Sequence, residues 1–183
     1  DTKGDAQEAV NVAKRLCAQD QVCAIIGPNA SGQCIAIQSV LDQYKISDMS
    51  TVATNEKVTM QDGQLKEYNF RVCFLDPFQG SVMASFAMEE FGAKKAYVLS
   101  MLGDDYTVGL AKNFVKAFEE AGGEIVADET FVEGTADFSA YLNNAVSGGA
   151  DVIFAPSAIA YAPQIIEQAS ALGVSLPILG GDT

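Results

Sequence analysis

The 183-residue chain contains no histidine. That absence removes at once the usual general base, a frequent metal ligand and the ordinary Ser-His-Asp triad. Cysteine is sparse: Cys17, Cys23, Cys34 and Cys73 are the only four, and no C-x-x-C pair hints at zinc. Basic residues are few, eleven against twenty-four acidic ones for a net charge of -13. Such a balance repels phosphate backbones and anionic bilayers, so nucleic acid is excluded as an expected partner. No apolar run approaches the roughly 18 residues that cross a bilayer. Residues 1–9 have neither the basic start nor the apolar core of a signal peptide, which fits a mature or trimmed product.

Several signatures are missing as well. Gly-x-Ser-x-Gly does not occur, nor does Gly-x-Gly-x-x-Gly or a phosphate loop ending in Gly-Lys-Ser/Thr. The carboxylate pairs Glu89-Glu90 and Glu119-Glu120 fall in helical segments as solvated faces. No cofactor and no metal are expected, and a binding module is favoured over an enzyme.

What the chain does have is alternation. An apolar fraction of 49% is ordinary for a packed domain, and its periodicity switches repeatedly between helix and strand. An amphipathic helix is predicted over 5–18, with Ala9, Val10, Val12, Ala13, Leu16 and Cys17 on one face. A strand over 22–26, a helix over 31–44 and strands over 46–49 and 70–74 follow. A helix over 76–91, capped by Asp76 with Pro77 in its first turn, leads to a strand over 96–100. The series continues with a helix over 107–121 and a strand over 124–131, then a helix over 137–146 and a strand over 152–155. A helix over 160–172 and a strand over 177–180 close it. Gly122-Gly123, Gly148-Gly149 and Gly173 supply the helix stops. This pattern predicts an α/β protein with parallel sheets flanked by helices on both faces.

Residues 55–69 are polar and aperiodic and are expected to form a surface loop. Leu75-Asp76-Pro77 is a natural place to leave one sheet and enter another, so two lobes are expected, 1–75 and 76–183. The chain opens on a helix with no strand before it and stops just after a buried strand, so truncation at both ends is expected. Cys17 with Cys23 is the one locally plausible disulfide, disfavoured because one ends a helix and the other opens a strand.

In an open α/β sheet, ligands bind beyond the carboxyl ends of the strands. Two consecutive strands there deliver Gly27-Pro28-Asn29-Ala30-Ser31-Gly32 and Ser50-Thr51-Val52-Ala53-Thr54-Asn55. Hydroxyls and free N–H groups of this kind suit a carboxylate, although Ser31 alone could simply cap its helix. Asp182 follows Gly180-Gly181. It is either the cap of a further helix or a carboxylate that meets an ammonium group. Tyr106 is expected in an exposed loop, able to pack over an aliphatic ligand or to anchor its own helix. Asp104-Asp105 is expected to be a solvated turn.

The ordered set Asp5-x-x-Glu8-Ala9-Val10, Ala24-Ile25-Ile26-Gly27-Pro28 with Ser31, Ala53-Thr54-Asn55, Phe70-Arg71, Asp76-x-x-Gln79-Gly80, Tyr106 with Gly109, Asp137-Phe138-Ser139 and Gly180-Gly181-Asp182 runs the length of the chain. It resembles the branched-chain amino-acid periplasmic binding proteins, type I solute-binding proteins of ABC importers. The resemblance implies the two-lobed type I fold, incomplete here, with 1–75 part of the first ligand-binding lobe and 76–183 most of the second.

It also implies capture of a free amino acid, branched-chain or a related small one, between the lobes for delivery to an ABC permease. Ser31, the backbone at Val52, and Thr54 would grip the α-carboxylate. Asp182 would grip the ammonium, and Tyr106 would close over the ligand. Family members for branched side chains commonly carry an aromatic where this chain has Ser157-Ala158, which implies a larger or more polar side-chain pocket. The implied location is the periplasm or the extracellular face of a bacterial membrane, reached only through a lipid anchor or the permease. A receptor or regulator that senses ligand with the same fold is the alternative, and surface exposed by truncation leaves a dimer open.

Overall fold

The computed structural model describes residues 1–157 and 159–182. Ala158 and Thr183 lie outside the described residues. The chain divides into two compact units, Asp1–Leu75 and Asp76–Thr183.

In the first unit, α1 (Ala6–Ala18) begins at Asp5, whose carboxylate accepts the Glu8 N–H at 2.7 Å. Its buried stripe, Ala9, Ala13 and Cys17, recurs every four residues and packs on Ile37, Val40 and Leu41 of α2 (Ser31–Tyr44). The strands β1 (Ala24–Ile26), β2 (Ser47–Ser50) and β5 (Asn69–Arg71) form a parallel sheet in the order β1-β2-β5. Parallel neighbours require crossovers, and α2 supplies the one between β1 and β2.

The expected loop over 55–69 is not featureless. It holds a 3₁₀ turn (Glu56–Val58) and a small hairpin of β3 (Met60–Gln61) and β4 (Gln64–Leu65). Asp62 and Gly63 turn the hairpin with φ of 51° and 78°. Positive φ at both central positions is the requirement of a type I′ turn, and Asp-Gly is among its preferred sequences. That dipeptide was the local signal, masked by the polarity of its surroundings.

The second unit is a four-stranded parallel sheet in the order β7-β6-β8-β9, made by β6 (Lys95–Met101), β7 (Glu124–Phe131), β8 (Val152–Phe154) and β9 (Ile178–Leu179). Central strand β6 is buried from Ala96 to Ser100. Its side chains alternate between two cores. Ala96 and Val98 join Phe114 and Phe118 of α4 (Asp105–Glu120) and Ala84 and Ala87 of α3 (Asp76–Phe91). Tyr97 and Leu99 face Leu142 of α5 (Ser139–Ser147) and Ile165 of α6 (Ala162–Ala171). A strand buried on both faces is what an apolar run such as Ala96-Tyr97-Val98-Leu99 needs.

All four thiols are free. Cys17 is buried between α1 and α2, whereas Cys23 is exposed. Among the described residues, no helix is long and apolar enough to cross a membrane.

Candidate functional site

The candidate residues fall into two groups, one in each unit. In the first unit, Ser31 does not cap α2. Ala30 occupies the cap position without a side-chain bond, and Ser31 is the first residue of the helix. Its buried Oγ accepts the N–H of Asn55 at 3.3 Å, which ties the start of α2 to the loop after β2. A hydroxyl that accepts one bond still has its O–H to donate.

The same loop is held from three other directions. Ser50 Oγ accepts the Ala53 N–H at 3.0 Å. Arg71 donates to the carbonyls of Ala53 at 2.8 Å and Asn55 at 2.9 Å, and to Thr59 Oγ1 at 2.7 Å. Asn55 Oδ1 accepts the N–H of Lys57 and so starts the 3₁₀ turn. Within this frame Val52 is half exposed, while Thr54 is fully buried with an Oγ1 that meets no hydrogen-bond partner among the described residues.

In the second unit the pivot is Asp182. Tyr106 Oη donates to Asp182 Oδ1 at 2.8 Å and accepts the Asp182 N–H at 3.1 Å. The side chain of Gln79 reaches the same residue. With its amide oriented to satisfy both partners, its nitrogen donates to Asp182 Oδ1 at 3.2 Å and its oxygen accepts the Asp182 N–H at 2.9 Å. Gly181 is required beside them, because a Cβ there would lie 2.1 Å from Tyr106 Oη. Asp182 remains exposed, a fixed carboxylate with room for a cationic partner.

Two expectations need correction. Tyr106 is not in an exposed loop but in the first turn of α4, 9% exposed. The helix starts earlier than its apolar periodicity suggests because Asp104 is its cap, with Oδ1 accepting the Thr107 N–H at 2.7 Å. Asp104 is thus a helix cap rather than a bare turn residue. Ser157 is buried past the end of β8, its N–H on the carbonyl of Ala155. Its neighbour Ala158 lies outside the described residues.

Gln79 and Arg71 were legible only as members of the ordered set, with no role attached. Their partners lie far away in sequence, so no local pattern could supply one. The chemistry available is recognition by neutral donors on one unit and a carboxylate on the other. Burial pushes the Cys34 thiol up to about 11, which removes it as a nucleophile near neutral pH. Among the described residues, no group of three or more Cys, Asp or Glu side chains is placed to hold a metal ion.

Two successive units, each with a parallel sheet, helices around it and the candidate loops at its strand ends, define an α/β fold of two lobes. The chain belongs to the periplasmic binding protein family, whose model matches residues 1–182. It is 26% identical over 182 residues to Leu/Ile/Val-binding protein homolog 3 of Brucella melitensis, covering 100% of this chain and 48% of that protein. A leucine binding protein from Thermotoga maritima superposes with a TM-score of 0.92 at 37% identity, over 98% of this chain and 50% of that one. A branched-chain amino acid transporter substrate binding protein from Streptococcus pneumoniae, in complex with isoleucine, does so with a TM-score of 0.88 at 34% identity and the same coverage. The chain therefore spans about half the length of the relatives it matches.

Proposed function

We propose that this chain is the ligand-receiving part of a solute-binding protein that captures a free amino acid, branched-chain or a related small one, for an ABC importer. The observation that carries the reading is Asp182, an exposed carboxylate at a strand end held by Tyr106 and Gln79. A carboxylate braced this way is preorganised for an ammonium group, and preorganisation lowers the ordering cost of binding. On the first unit, Ser31, the backbone at Val52, and Thr54 form the complementary receptor for the α-carboxylate. Ser157 borders the side chain. Tyr106 acts through Asp182, since its hydroxyl is engaged there.

No turnover accompanies binding in this reading. The neighbour of Ser31 Oγ is a backbone N–H, not a base that could activate it. The names of the relatives support an amino-acid ligand and a transporter partner. The protein works outside the cytoplasm, tethered by a lipid or by docking to the permease.

The test is calorimetric titration of the full-length protein with leucine, isoleucine, valine and alanine, together with their amides and decarboxylated analogues. Wild type binds at least one amino acid, and the affinity collapses when either charged group of the ligand is removed. Asp182→Ala weakens binding by roughly 100-fold, as expected when a charged ligand group loses a hydrogen-bonded counter-charge. Unchanged affinity in Asp182→Ala, or silence across the whole panel, would overturn the proposal.

A further inference from the structure

We infer that Arg71 is the positioning residue of the carboxylate loop, an inference that rests on the assignment of Ser31, Val52 and Thr54 to carboxylate binding. Arg71 is the last residue of β5 and pairs in register with Ser50, the last residue of β2. Its guanidinium therefore sits at the root of the loop that β2 feeds. From there it takes the carbonyls of Ala53 and Asn55 and the hydroxyl of Thr59, with a longer bond of 3.4 Å to the carbonyl of Glu56.

The consequence follows from peptide geometry. In a trans peptide the C=O and the next N–H point in opposite directions. Drawing the Ala53 carbonyl toward Arg71 thus turns the Thr54 N–H away from the guanidinium. In the same stretch the Ala53 N–H is taken by Ser50 Oγ and the Asn55 N–H by Ser31 Oγ. The two carbonyls that would repel an approaching carboxylate are withdrawn. Thr54, whose hydroxyl is unpartnered, is left as the donor-bearing residue. A planar fork with five N–H donors can hold two carbonyls and a hydroxyl at once, and an ammonium on a flexible stem cannot reproduce that arrangement.

The test compares wild type, Arg71→Met, Arg71→Lys and Thr59→Val in the full-length protein by competition calorimetry with leucine, leucinamide and 4-methylpentanoate. In both Arg71 variants the preference for leucine over leucinamide shrinks at least about tenfold, as expected for losing bonds to a charged donor. The preference for leucine over 4-methylpentanoate, which reports the ammonium side, stays within about twofold. Thr59→Val, which removes one acceptor of Arg71, moves the first ratio the same way by about threefold. A second readout is hydrogen exchange in the ligand-free protein, where the Ala53 and Asn55 amides exchange faster in Thr59→Val. A merely structural arginine would lower the melting temperature and weaken all three ligands alike, and that result would overturn the inference. If Arg71→Met does not fold, Thr59→Val decides. If wild type binds none of the ligands, the amino-acid reading falls, and amide exchange alone decides on Arg71. Faster exchange in Thr59→Val supports the clamp, and unchanged exchange overturns it.

Discussion

The two units build their interiors from different materials. In Asp76–Thr183 the large fully buried side chains are mostly rings: Tyr97, Phe114, Phe118, Phe131, Phe138 and Phe154. In Asp1–Leu75 they are aliphatic, Ile37 and Leu41, and much of the remaining interior is polar, including Ser31, Asp48, Ser50, Thr54, Asn55 and Asn69. The second unit is an apolar scaffold that places a few site residues at strand ends. In the first, the groups that shape the site loop are themselves part of the core. Changing the site there changes the fold, whereas in the second unit the carboxylate itself, Asp182, is exposed and its braces Tyr106 and Gln79 are buried at the edge of the apolar core.

The largest effect that tests this contrast is expected at Phe154. Its ring stacks on Phe114 at 4.0 Å with an interplanar angle of 15°, and Phe114 in turn stacks on Phe118 at 5.4 Å. Phe154→Ala should cost about 3–5 kcal/mol through lost burial and the cavity left behind. Denaturant unfolding measures the loss, and hydrogen exchange should locate it in residues 76–182. A cost below about 1 kcal/mol would mean that the rings do not dominate that unit.

The second test is pH. Asp48 of β2 and Asn69 of β5 are register partners, both buried, and neither carboxylate oxygen of Asp48 nor either polar atom of the Asn69 side chain meets a hydrogen-bond partner among the described residues. Burial pushes the Asp48 carboxyl up to about 7, and the Lys66 ammonium opposes this only in part. The groups around it are Lys66, with Asp42 beside that lysine, and Cys34, which also feels Arg71. The folded pKa lies above the unfolded value near 3.8. Between those values the folded unit holds a proton that the unfolded chain has released. Its stability from this group is therefore greatest at the acid end and falls as pH rises toward about 7. The expected loss is a few kcal/mol, on the order of 1.4 kcal/mol per pH unit across the window. Asp48→Asn removes this component, so subtracting the variant's stability profile from wild type between about pH 4 and 8 isolates it. A flat difference would show that the buried acid is not what distinguishes the first unit.

The same contrast explains what could be read in advance. The parallel α/β alternation was legible because helix and strand periods are local properties of runs such as Ala9, Ala13 and Cys17 or Ala96 to Ser100. So were the loops that bring Ser31 close to Asn55, because consecutive parallel strands end at the same edge of a sheet. The hydrogen-bonding of the loops was not. Ser31 offered a cap as the simpler alternative to a ligand contact, yet its oxygen is used 24 residues away. Tyr106 looked like a loop residue because the cap at Asp104 lies ahead of the first apolar repeat. Arg71 finds its acceptors 12 to 18 residues upstream, and Gln79 reaches across more than a hundred residues to Asp182. Pairings of that kind depend on tertiary geometry, which a one-dimensional pattern does not carry.

The smallest effect concerns the β3–β4 hairpin. Gly63 adopts φ +78° in open space, where a Cβ would meet no atom within 4 Å. Gly63→Ala therefore creates no clash, and its whole cost is the left-handed backbone, about 1 kcal/mol. Lys66 follows β4 and donates to the carbonyl of Lys57, while its N–H bonds the Thr59 carbonyl at 2.9 Å, so the hairpin is stitched to the 3₁₀ turn. Thr59 is also an acceptor for Arg71. Loosening the turn should reach the site loop in attenuated form through such contacts, with hydrogen exchange rising at Thr59 and Lys66 more than at Ala53 and Asn55. Equal acceleration at all four would mean that the hairpin and the carboxylate loop open as one unit, and the polar interior of the first unit would then be a single cooperative structure.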